Sequence, residues 1–105
     1  MADDVALTGS RILFAIAGRR LIEVRYSGAT RIAEPHDYGV QNGREQLLVF
    51  QLIGPARPGQ RSTGWRRLDL PKIEGIRVLD GTFAGSRRSS HAHHYHWDIL
   101  YARVE

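Results

Sequence analysis

A chain of 105 residues, 42% hydrophobic and 25% charged, has room for one domain with a small core, and that balance excludes wholesale disorder. No apolar run is long enough to span a bilayer, and the longest early one, residues 12–17, follows Asp3 and Asp4 where a secretory leader would carry positive charge, so a cytoplasmic location is expected. The absence of cysteine excludes disulfides and thiolate metal sites, while a net charge of +4 carried by fourteen arginines and one lysine, Lys72, turns attention to anionic partners.

An arginine-favouring genome would account for the bias on its own, so the distribution says more than the total. No acid lies between Glu45 and Asp69, a window holding Arg57, Arg61, Arg66 and Arg67. None lies between Asp80 and Asp98, a window holding Arg87, Arg88 and four histidines. Two such basic segments alternating with mixed ones are the pattern of a surface patch.

Residues 1–7 read as a frayed terminus. Thr8 or Ser10 can cap a short helix through about Ala17, with Ile12, Leu13 and Ile16 on one face and Gly18 as its stop. From Arg20 to Tyr26 the period changes to two: Ile22, Val24 and Tyr26 point one way, Glu23 and Arg25 the other, which predicts a half-buried strand. Ser27-Gly28-Ala29 makes a turn, and Thr30 to Ala33 starts the return.

Pro35 cannot donate to a ladder, so Glu34 to His36 is expected at an edge, bulge or bend. Tyr38 to Gln41 continues as strand into Asn42-Gly43, a type I′ hairpin signal, because both central residues of that turn need positive φ. The next strand, about Glu45 to Leu52, carries Leu47, Leu48, Val49 and Phe50 in succession, which implies burial on both faces. "GPARPGQRSTG", residues 54–64, reads as an exposed loop, either a charged lip over a groove or a tolerated insertion. Trp65 to Leu70 predicts a fourth strand broken by Pro71, and Ile73 to Leu79 a fifth with Ile76 and Val78 on one face. The tail past Gly81 is polar and then amphipathic: Trp97, Leu100 and Tyr101 suit a helix, Ile99, Tyr101 and Arg103 a strand. No internal repeat and no helix-turn-helix is visible. A short helix followed by five short strands joined by tight turns predicts a strongly bent sheet closed into a small barrel.

Three segments, "GRRLIEVRYSG", "RIAEPHDYGVQNGREQLLVFQL" and "WRRLDLPKIEGIRVLD", together resemble the WYL domain, a bacterial regulatory module with an Sm-like small five-stranded β-barrel. The likeness covers about residues 12–80. The Trp-Tyr-Leu triplet falls on Glu45, Gln46 and Leu47, of which the leucine is kept. The resemblance implies a WYL-like barrel over residues 8–80, with 81–105 as a C-terminal extension serving packing or an oligomer contact. It also implies a non-enzymatic regulatory domain that senses a nucleic-acid or nucleotide ligand through a basic groove, alone or beside a DNA-binding partner.

By that resemblance Arg31, His36, Arg66 and Arg67 match the basic residue before the acid-proline step, the histidine after it, and the arginines of the closing segment. A barrel could gather them on one rim, with guanidinium groups on phosphate and Tyr26 or Tyr38 stacking a base. Strand alternation sends either Arg66 or Arg67, not both, toward the groove. The competing account is that these arginines pair with Glu23, Glu34 and Asp69 on a solvated face. His36 suits fixing the bend more than touching a ligand. It lacks a nucleophile to activate, since there is no cysteine and no serine in a nucleophile elbow. His91, His93, His94 and His96 raise metal binding, but two ligands come easily and a third, Asp98, is needed; packing or an oligomer contact is the simpler use. No cofactor is called for. The expected function is binding of single-stranded nucleic acid or a nucleotide through Arg31, Arg66 and Arg67, with His36 and Tyr38 shaping the pocket. The alternative is a protein-interaction or homo-oligomerisation module without nucleic-acid affinity. A hydrolase or metalloenzyme has least support, because no nucleophile and base can be assembled.

Overall fold

A computed structural model of the chain describes residues 2–87 and 96–105. Helix α1 spans Ala2–Ala17, starting a full turn and more before the expected cap. Ile12, Ala15 and Ile16 are buried, whereas Leu13, expected on that face, is 43% exposed. The left-handed residue that ends the helix is Arg19 (φ 50°) rather than Gly18, whose N–H still bonds to the Phe14 carbonyl.

Among the described residues six antiparallel strands follow: β1 Arg20–Tyr26, β2 Ala29–Gln41, β3 Arg44–Ile53, β4 Gly64–Asp69, β5 Ile73–Thr82 and β6 Ile99–Arg103. They pair in the order β4-β3-β2-β1-β5, with β6 joined to β2. Two-residue turns at Ser27-Gly28 and Asn42-Gly43, with φ of 52° and 74° at each pair, close the first two hairpins in the twist that strands favour. The chain from Thr30 to Gln41 is one long strand whose register shifts between Pro35 and Asp37. That shift splits one edge of β2 between two partners. Residues 29–33 pair with β1, and residues 37–40 pair with β6. Pro35, which has no N–H to offer, sits in the gap.

The core lies between α1 and the inner face of the sheet, where Ile22, Val24, Ala33, Leu47, Val49, Leu68 and Ile76 meet Ile12 and Ile16. The apolar run in β3 is buried on both sides, as its composition implied. Leu47 and Val49 point into the core, while Leu48, also buried, points to the outer face. That outer face is covered by the C-terminal segment: Phe83 lies against His36, Arg87 against Phe50, and Trp97 and Arg103 against Asp37. The tail expected as an extension thus adds a sixth strand to the same sheet.

The architecture is mainly β with an N-terminal helix, but the sheet is not closed into the expected five-stranded barrel. β4 and β5 are joined by a 3-10 turn, Leu70–Lys72, and share no ladder. The Asp69 N–H at the end of β4 goes instead to the Tyr26 hydroxyl, 3.2 Å away, so a side chain spans the seam where a ladder would close it. No helix among the described residues is long and apolar enough to cross a membrane.

Candidate functional site

Residues directly opposite one another in neighbouring strands share a face. Arg31 lies opposite Val24, Gln51 opposite Ala33, and Arg66 opposite Val49, and all three of those partners are core residues. Arg31, Gln51 and Arg66 therefore stand on the core side of the sheet, at the end where the apolar residues run out. There Arg31 and Arg66 border a hollow of about 470 Å³ between the β1–β2 turn and the loop after β3, lined by Tyr26, Arg31, Pro55, Arg57, Arg66 and Arg67 among others, with the buried Gln51 bonded to Arg31. Its lining holds four arginines and no carboxylate.

The guanidinium groups are held in different ways. Arg31 donates from Nη1 to Gln51 Oε1 (2.9 Å), lies 5.6 Å over the Tyr26 ring, and has a buried Nε without a partner. Arg66 donates to the carbonyls of Trp65 and Arg61 at 3.0 and 2.5 Å. Its pKa is pushed below the ordinary arginine value, first by burial and then by the positive charges of Arg31 and Arg57. Arg57 stands at the head of a turn, Arg57-Pro58-Gly59-Gln60, closed by Gln60 N–H to Arg57 O (2.9 Å). Proline second and glycine (φ 81°) third are the residues such a turn requires. Like charges gathered this way repel unless an anion sits among them.

Of the five residues picked from sequence, Arg31, Arg66 and Arg67 come to this hollow. Alternation resolves in favour of Arg66: the Arg67 side chain leaves on the outer face and donates from Nη1 to Gln41 Oε1, 3.3 Å away. His36 and Tyr38 are not brought here. Both are buried, His36 under the outer face and Tyr38 in the core. Tyr38 donates to Glu45 Oε1 (2.9 Å), packs edge-on against Tyr101 and sits under Gly9 of α1, so it is closed to a base. Burial and the neighbouring Glu45 push its phenol far above the ordinary range. Tyr26, the other stacking candidate, does line the hollow. Sequence reasoning passed over Gln51 and left Arg57 as one charge in a basic window. The signal for Gln51 was present: it shares parity with Leu47 and Val49 and so had to be a buried amide.

His36 answers the bend rather than a ligand. Its Nε2 lies 2.9 Å from Glu34 Oε1, and because the carboxylate only accepts, the neutral ring donates. Arg87 donates to the same carboxylate from Nε and Nη2 at 2.8 and 2.9 Å. The ring is closed in by Trp65 and Phe83, with centroids at 4.7 and 5.4 Å. Burial lowers its pKa, against the pull of Glu34. Burial would likewise raise Glu34, but the hydrogen bonds from Arg87 and His36 outweigh it and hold that carboxyl low. Asp37, bound by Trp97 Nε1 and by Arg103 Nε and Nη2 at 2.9 to 3.0 Å, forms a second clasp.

His91, His93 and His94 lie outside the described residues. His96 is exposed with Nε2 4.0 Å from Asp98 Oδ1, and among the described residues no three ligating side chains gather. No family model matches the chain, and neither the curated proteins nor the solved structures returned a match.

Proposed function

We propose that the chain is a non-enzymatic sensing domain that binds an anionic ligand, single-stranded nucleic acid or a nucleotide, in the arginine hollow. The observation that carries this reading is the composition of the hollow: Arg31, Arg57 and Arg66, one aromatic ring and no acid around about 470 Å³, a volume within the range of small-ligand sites. Arg31, Arg57 and Arg66 hold the phosphate, and Tyr26 offers the flat face beside it. Kinship with the WYL domain and its Sm-like barrel belongs to the same proposal. It rests on the ordered sequence segments and on a bent sheet whose end strands, β4 and β5, are joined by a short turn.

Titration of a fluorescein-labelled oligothymidylate tests it. Three or four phosphate contacts on a single strand predict a loss of about 20- to 50-fold in affinity between about 50 and 200 mM salt, and the Arg31→Ala, Arg66→Ala double variant loses the binding altogether. Competition by thymidine monophosphate identifies a nucleotide site, competition by unlabelled strand alone a strand site. Absence of binding at low salt contradicts the proposal.

A second reading, homo-oligomerisation, is favoured by β6. Among the described residues it pairs with β2 only, and Ile99, Leu100 and Tyr101 on it are 54, 41 and 48% exposed. Light scattering decides it: a dimer abolished by Ile99→Lys supports this reading, a monomer at all concentrations removes it. Trp97 is committed to Asp37 and is no free contact for a partner.

A further inference from the structure

We propose that Gln51 is a positioning residue that joins Arg31 and the loop 54–63 into one anion-binding unit, an inference that rests on reading the hollow as an anion site. Gln51 is fully buried at the end of β3, on the core side of the sheet. Its amide is used at both ends. The oxygen accepts from Arg31 Nη1 (2.9 Å), and the nitrogen donates to the carbonyls of Pro55 (3.0 Å) and Ser62 (2.8 Å). Those two carbonyls are the near and far legs of the arginine loop, so a single side chain draws the legs together and fixes Arg31 beside them. Arg66 closes the far leg by donating to the Arg61 carbonyl. The loop tip between the legs carries Arg57 into the same hollow.

Gly54 completes the unit by letting the backbone come close. A Cβ built at Gly54 would stand 2.9 Å from Gln51 Cδ, 3.0 Å from its Nε2 and 3.1 Å from Arg31 Cγ, nearer than side chains tolerate. The chemistry of the amide also fits an anion site. A glutamate at position 51 would orient Arg31 more strongly, but it would neutralise the charge and could not donate to either carbonyl. A neutral acceptor orients the guanidinium and leaves its charge available to a ligand.

Three variants separate this role from general support of the fold. Gln51→Glu keeps an acceptor for Arg31, adds a negative charge and loses both donors. Gln51→Leu removes all three bonds at similar volume. Gly54→Ala keeps every polar group and crowds the pair. The first readout needs no ligand. Trypsin cuts poorly at Arg57 because proline follows, so cleavage after Arg61 reports release of the loop. Gln51→Leu and Gly54→Ala are expected to raise that rate about tenfold at unchanged far-ultraviolet circular dichroism, and equal rates in the folded variants and the wild type overturn the coupling.

The second readout is affinity for labelled oligothymidylate. All three variants are expected to bind about tenfold more weakly at about 50 mM salt, and Gln51→Glu alone is expected to flatten the salt dependence by about 0.7 in log-log slope, the signature of one lost phosphate charge. A merely structural role would not move that slope. Wild-type binding with unchanged variant affinities and slope overturns the inference and leaves the hollow's function standing. A wild type that does not bind overturns both.

Discussion

Within β2, two carboxylates three residues apart are taken out of water, and each is tied to an arginine from the C-terminal segment. Glu34 and Asp37 are 6 and 5% exposed, and Arg87 and Arg103 answer them. His36 between them gives the arrangement a pH dependence. Burial holds its pKa in the folded protein below the ordinary 6.5, so the unfolded chain takes up the proton first. The stability it contributes is complete above 6.5 and is lost as pH falls from there toward the lowered folded value. Glu34, also lowered, adds a further loss once the pH drops below its ordinary 4.5. Urea midpoints measured at pH 7.5 and 5.5 are therefore expected to fall for the wild type, and to fall less for His36→Gln, which keeps a donor for Glu34 without titrating. Parallel falls would contradict this account. The bond that His36 makes across the bend to Glu34 accords with its place beside Pro35. Tyr38 misses the hollow because of its place along β2, not its face: the register shift between Pro35 and Asp37 leaves it on the core side with Arg31, but seven residues further on, beneath Gly9 of α1 and bonded to Glu45.

At the scale of elements, β1 could be read residue for residue because its alternation is unbroken, and β6 could not, because what makes it a strand is an edge it meets only in the fold. β1 leaves β2 at Ala33, and the edge from Asp37 to Val40 then needs a partner. Gly39 admits it. A Cβ there would run into the Ile99 carbonyl and the Trp97 ring, so Gly39→Ala is expected to detach β6 and to shorten the amide-exchange protection of residues 99–103. Protection equal to that of the wild type would show that β6 docks without this close approach. Arg103→Ala tests the clasp beside it. It leaves the buried Asp37 bonded to Trp97 Nε1, and the expected cost is about 2 kcal/mol, below the roughly 3 to 5 kcal/mol of a fully buried pair because the guanidinium is 43% exposed. Denaturant unfolding checks the figure, and a change under about 0.5 kcal/mol would place the clasp among ordinary surface pairs. The early start of α1 escaped notice for a related reason: the first residues carry no apolar period to signal a helix.

Across the whole molecule, the sheet brings together arginines from β2, β4 and the loop after β3 that lie up to 35 positions apart in the chain, Arg31 to Arg66. The basic windows and the family resemblance pointed to Arg31, Arg66 and Arg67; they could not show which of the last two faces inward, since alternation fixes parity but not the side of the sheet. Nor could they show that the sheet stays open between β4 and β5, with the Tyr26 hydroxyl bridging the seam and the arginine hollow beside it. What remains is to see the ligand at the guanidinium groups themselves. Nitrogen-15 spectra of the arginine Nε–H signals, recorded as oligothymidylate is added at low salt, test this most directly. The account predicts that Arg31, Arg57 and Arg66 move first and furthest, the buried Nε of Arg31 above all, while Arg87 and Arg103 stay still. Signals of Arg31 and Arg66 that do not move, or the largest shifts falling on Arg87 and Arg103, would contradict it.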